Sequence, residues 1–262
     1  MLSEASYELA DLPALLADLD LTPSGKWIAV TEPGNAQSLV FPNQTIPLSE
    51  EIRFPKVRAI DDDTVVIVNS RAWKGNNGLI VSSSGETHSF YAGDAIQDVL
   101  ACDEFIVITY FDESALTSSG IEGNGVAVFD TGGDFLFGYR DLFGDEAVAI
   151  ADCYAACWAA DNQILFFPYT DFPLVSVDLK NRTQVIWDTP DAVVGSRAIS
   201  ATDDRVFFHR PYRDEGSIFE WKIGNESAQN IGVCSKHLRG LNGGKFLAVE
   251  PNAYLIVSPT TI

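Results

Sequence analysis

The chain of 262 residues carries 37 Asp and Glu against 17 Lys and Arg, a formal net charge of −20, with 46% hydrophobic residues that include 16 Phe. That charge repels phosphate backbones and anionic lipid surfaces, which argues against nucleic acid and membrane as partners. The apolar content supplies a packed core and argues against a disordered chain.

The first 22 residues hold five acids (Glu4, Glu8, Asp11, Asp18 and Asp20) and no Lys or Arg, whereas a secretory signal needs a basic start and an unbroken apolar stretch. No run of about 18 apolar residues follows anywhere, so no membrane span is expected. Cys102, Cys153, Cys157 and Cys234 are scattered, a pattern of reduced structural thiols and not of a disulfide framework. A cytoplasmic location is the expectation.

The chain opens with a short β-rich segment at residues 6–10, SYELA, and then repeats one unit. An apolar strand follows a polar turn six times: KWIAV at 26–30, TVVIV at 64–68, FIVIT at 105–109, QILFF at 163–167, RVFFH at 205–209 and KFLAV at 245–249. Counted from the first large apolar residue of each, the spacings are 38, 40, 59, 42 and 40, which implies six units. Within each unit a second strand follows a variable loop (SLVF, GLIV, VAVF, LVSV, IFEW, YLIV). Turns such as Ser84-Gly85, Gly132-Gly133, Lys180-Asn181 and Gly224-Asn225 then lead into a further strand. With the strand before each turn, such as VRAI or LRGL, every unit has four strands. The last unit stops after three, so the N-terminal segment is expected as its outer strand, leaving only short protected edges.

On this period and closure the chain resembles the six-bladed β-propeller superfolds, of TolB-like, lactonase-like and prolyl-oligopeptidase type. The resemblance implies an all-β propeller of four-stranded blades, one domain over residues 1–262. WD-repeat proteins usually carry GH and WD dipeptides, whereas the one WD here, Trp187-Asp188, follows a fourth strand; kelch signatures are absent. A solenoid and a two-sheet sandwich are the other arrangements that would accommodate such strands.

The third unit is the long one, and its extra length falls in residues 110–124 and 140–154, expected as two loops on one end of the propeller. On that end the connections after the second strand place Trp73, Phe111, Tyr169, Phe172 and Tyr212, beside Arg71, Arg210 and Arg213. Rigid aromatics next to arginines are the composition of binding hot spots, although the same rings would serve equally as caps on the core. On the innermost strands, counting seven residues back from each apolar anchor reaches Asp20, Arg58, Asp98, Cys157, Ile199 and Arg239, with Arg197 nearby. These charges form either a structural ion-pair ring or a seat for a small anion in a central channel.

No catalytic motif stands out. The three histidines (His88, His209, His237) lie in no nucleophile elbow, Cys153 and Cys157 have no companion His cluster for zinc, and no glycine-rich phosphate loop is present. No cofactor is expected. A protein-binding propeller follows as the expected function, monomeric, with a basic protein as partner and an inhibitor or immunity-type protein as one specific form. The alternative is a metal-dependent lactonase- or esterase-like hydrolase, or a small-anion binder, using the channel.

Overall fold

The six turn-and-strand repeats become the second strands of six four-stranded antiparallel sheets, the blades of an all-β six-bladed propeller. The computed structural model describes residues 2–10, 12–34, 37–71, 74–111, 120–212 and 215–259. The chain divides into two compact units: one holds blades one to three, and the other holds blades four to six with the first strand.

In the unit of blades one to three, the first blade runs Leu16–Leu21 (β2), Trp27–Thr31 (β3), Ser38–Phe41 (β4) and Gln44–Pro47 (β5). The second runs Pro55–Ala59 (β6), Thr64–Asn69 (β7), Gly78–Ser82 (β8) and Thr87–Phe90 (β9). The third runs Ile96–Ala101 (β10), Ile106–Tyr110 (β11), Val126–Phe129 (β12) and Phe135–Gly138 (β13). The second and third strands are nearly continuous apolar runs because both of their faces are covered. Ile28, Val30, Leu39 and Phe41 pack with Val57, Val65, Ile67 and Val81, while Val66, Val68 and Ile80 pack with Ile106, Ile108, Ala127 and Phe129. Burying such side chains removes about 1.5–3 kcal/mol of exposure cost each.

In the other unit, blade four runs Asp152–Ala160 (β14), Gln163–Tyr169 (β15), Leu174–Asp178 (β16) and Thr183–Trp187 (β17). Blade five runs Ala198–Thr202 (β18), Arg205–Arg210 (β19), Ser217–Lys222 (β20) and Gln229–Val233 (β21). The last blade has Arg239–Gly240 (β22), Phe246–Glu250 (β23), Ala253–Pro259 (β24) and, as its outer strand, the N-terminal Leu2–Glu8 (β1). Beyond the ladder, Ser3 Oγ donates to the Ser258 carbonyl, and Tyr7 stacks on Tyr254 at 4.7 Å. The strand begins four residues earlier than SYELA suggested, because backbone pairing extends it beyond the apolar core of the segment.

Tight turns join the first two strands of each blade, and Asn162 and Asp203 take positive φ (60° and 51°) there, as short Asx side chains allow. Among the described residues of the long third unit, only the second of the two expected loops departs from expectation. Residues 112–119 lie outside the described residues, and a 3-10 turn covers Ile121–Asn124. The second expected loop, 140–154, contains a helix, Tyr139–Phe143 (α1), then a 3-10 turn at Gly144–Glu146, and its last residues already belong to β14. Asn124 organises this region: its Oδ1 accepts the Asp141 N–H at 2.8 Å and its Nδ2 donates to Asp141 Oδ2. Gly138 makes the approach possible, since a Cβ there would sit 2.0 Å from the Asn124 amide carbon. Among the described residues no helix is long and apolar enough to cross a membrane.

Candidate functional site

Within blades one to three, the charged inner-strand positions converge on Arg58. Its Nη1 donates to Asp18 Oδ2 and to the Val57 carbonyl, both at 2.6 Å, Nη2 to Asp98 Oδ1 at 2.5 Å, and Nε to the Val99 carbonyl at 2.8 Å. The carboxylates also bind backbone: Asp18 accepts the Val57 N–H and Asp20 the Ala59 N–H, stitching β2 to β6. Burial alone would lower the Arg58 pKa, but Asp18, Asp98 and Asp20 override it and hold the guanidinium above its ordinary range. With Arg58 buried and four of its five N–H donors engaged by protein acceptors, this cluster has the geometry of a clasp between strands. Asp18 is its missed member. It stands two residues before Asp20, on the same strand face, and the strand period of two is the signal that points to it.

The expected six-fold equivalence of the inner positions does not hold. Asp20, Arg58, Cys157 and Arg239 pair with Ile28, Val66, Leu165 and Leu247, one residue past the anchor. Asp98 instead pairs with Thr109 beside an irregularity in β10, and Ile199 with Phe208 across a tighter turn. Cys157 and Ile199 belong to the apolar core of their unit, and burial pushes the Cys157 thiol pKa up. Arg239 is half-buried beside the Gly240 carbonyl. All four cysteines are free thiols. Among the described residues no group of three or more His, Cys, Asp or Glu is placed to hold a metal ion.

The arginine–aromatic positions divide by burial. Trp73 and Arg213 lie outside the described residues. In blades one to three, Arg71 pairs with Asp94 at 3.6 Å and lies 5.5 Å from the Phe111 ring. In blades four to six, Arg210 is only 9% exposed and donates from Nη1 to the Ala192 carbonyl, so it braces the core and offers no contact surface. Tyr212 is 74% exposed, with His237 at 6.2 Å between rings.

Blade four carries a cluster of packed aromatic rings that reaches the surface. Tyr169, 43% exposed at the end of β15, stacks nearly parallel to Tyr154 of β14, with centroids 5.8 Å apart and planes at 15°. Phe172, buried, meets both rings edge-on at 5.1 and 5.5 Å. Phe172 has φ 56°, unusual for a bulky residue, and is held by the Thr189 hydroxyl donating to its carbonyl at 2.7 Å and by Phe167 at 5.3 Å. Arg197, just before β18, lays its guanidinium 3.4 Å from the Tyr154 centroid and pairs with Asp152 at 3.5 Å. Arg197, expected near a channel charge ring, thus serves this aromatic assembly. Tyr154 escaped the sequence reading because it ended an apparent loop.

No protein-family model matches the chain, and no curated protein does. Solved structures do. Virginiamycin B lyase from Staphylococcus aureus is 11% identical with a TM-score of 0.55, covering 98% of this chain and 99% of that one. YCF48 bound to D1 peptide is 10% identical with a TM-score of 0.54, over 98% and 97%. Kluyveromyces lactis Hsv2 is 13% identical with a TM-score of 0.56, over 90% and 71%. They share the propeller fold. At such identities the likeness extends no further than architecture, and these neighbours differ in what their names describe.

Proposed function

We propose that this propeller is a non-catalytic binding module that engages a protein partner through the second-to-third-strand connections of blades four and five. The observation that carries the reading is the exposed Tyr169 ring, held in place by Tyr154 and the buried Phe172. A large ring already fixed by its neighbours loses little side-chain freedom on contact, which is how aromatic hot spots gain affinity. Tyr212 adds a second exposed ring in the next blade. YCF48, of the same architecture, is described bound to a peptide, which supports the reading; virginiamycin B lyase has a catalytic name on the same fold, so architecture alone does not choose. The net charge of −20 suits a basic partner, and an inhibitor or immunity-type protein is its specific form.

The test is capture from native lysate on the immobilised protein, with a Tyr169→Ala/Tyr212→Ala variant of matched thermal stability alongside. A protein retained by the native surface and lost on the variant is the expected result. Equal retention on both, or no specific retention, rejects the reading.

A further inference from the structure

The surroundings of Tyr169 narrow the chemistry of what binds there. The chain already seats a cation on this aromatic pair, since the Arg197 guanidinium lies 3.4 Å from the Tyr154 centroid. The neighbouring ring, Tyr169, is nearly parallel to it and open to solvent. Exposed carboxylates occur on its own connection and on the neighbouring one. Asp171 lies two residues on in the same connection, and Asp188 and Asp191 bracket Thr189, whose hydroxyl is bonded to the Phe172 carbonyl. Neither residues 169–179 nor residues 183–196 contain a Lys or Arg. Arg197, the cation on the Tyr154 ring, is matched by Asp152. Acidic connections alone attract any cation, but an exposed tyrosine face on them selects an organic one, above all a planar guanidinium that stacks and donates hydrogen bonds at once.

We infer that the Tyr169 face, with Asp171, Asp188 and Asp191, is a seat for the arginine side chain of a basic protein segment. This rests on the protein-binding reading above and adds the partner's chemistry to it.

The probe is a fluorescently labelled oligoarginine peptide, titrated by anisotropy against four folded proteins. These are the native chain, Tyr169→Leu, the seat variant Asp171→Asn/Asp188→Asn/Asp191→Asn, and a charge-matched control, Asp161→Asn/Asp203→Asn/Glu226→Gln, altered at exposed positions in turns elsewhere in the same two blades. Tyr169→Leu, which leaves net charge unchanged, is expected to weaken binding about two- to fivefold, the worth of an exposed cation–π contact. The seat variant is expected to weaken binding more than the control. If Tyr169→Leu binds as the native chain does, or if the two triple variants weaken binding equally, the peptide is held by overall charge and the inference is overturned. That outcome leaves the binding-module reading intact where a neutral or acidic partner is still lost on Tyr169→Ala/Tyr212→Ala, and the two therefore fail separately.

Discussion

Arg58 Nη1 lies 2.6 Å from Asp18 Oδ2, and that same oxygen accepts the Val57 backbone N–H. One carboxylate thus ties the inner strands of the first two blades together, while the other end of the guanidinium reaches Asp98 on the third. Removing the cation leaves these carboxylates partly buried without their counter-charge, so Arg58→Met is expected to cost about 3–5 kcal/mol in urea unfolding. The double variant Arg58→Met/Asp18→Asn should recover part of that loss. A variant that keeps native stability but loses binding of a small anion would instead mark Arg58 as a ligand residue.

The blade count was legible because each second strand is an apolar run announced by a polar turn, and the spare N-terminal strand matches the three-stranded last unit. The charge cluster was legible only in part. A fixed count from an apolar anchor assumes equal turns, yet β18 and β19 join through the tight pair Asp203 and Asp204, and β10 is irregular between Ile96 and Asp98. Arg210 and Tyr154 show the other difficulty. Composition places Arg210 in a hot-spot-like stretch, RPYRDEG, but cannot register that its guanidinium turns inward to Ala192. Tyr154 becomes visible only through the contacts it makes with Tyr169 and Arg197, which are fifteen or more residues away in sequence.

His209 is fully buried, with Nε2 2.9 Å from the Cys234 carbonyl and no hydrogen bond to Nδ1 among the described residues. Burial lowers its pKa below the usual 6.5, against the Cys234 hydrogen bond and with the nearby His237 charge. Because the unfolded chain binds the proton more readily, stability from this group is complete above the unfolded value and lost as pH falls through the folded one. Urea unfolding from about pH 7.5 to about pH 5.5 should show a steeper loss for the native protein than for His209→Gln, which keeps a donor but does not titrate. Parallel losses would show that other groups carry the pH dependence.

Thr189 holds the carbonyl of Phe172, a residue in the left-handed region, and so fixes the connection that presents Tyr169. Thr189→Val keeps the shape and removes the hydroxyl, with an expected loss of about 1 kcal/mol in unfolding. Oligoarginine affinity should fall as well, by less than in Tyr169→Leu, because the ring remains but is less well ordered. Unchanged affinity with reduced stability would separate the support of the fold from the support of the seat.

Gly240 stands in the two-residue strand β22, where a Cβ would come within 1.9 Å of the Ile199 carbonyl oxygen and 3.4 Å of Cys157 Cβ. The inner strands of blades four, five and six therefore approach at this point as closely as a bare backbone permits. Ser200 fastens the approach by donating to the Leu241 carbonyl at 2.6 Å. A carbonyl within a strand cannot rotate away from an added methyl as a flexible side chain can, so β22 itself must move. Gly240→Ala is expected to cost about 3 kcal/mol, the upper range for overpacking. Ser200→Ala, which removes only the hydrogen bond, should cost about 1 kcal/mol. If the methyl displaces β22, the Ser200 bond is lost in the same step, and adding Ser200→Ala to Gly240→Ala then costs little more. Full additivity of the two losses would show that the strand accommodates the methyl without leaving Ser200.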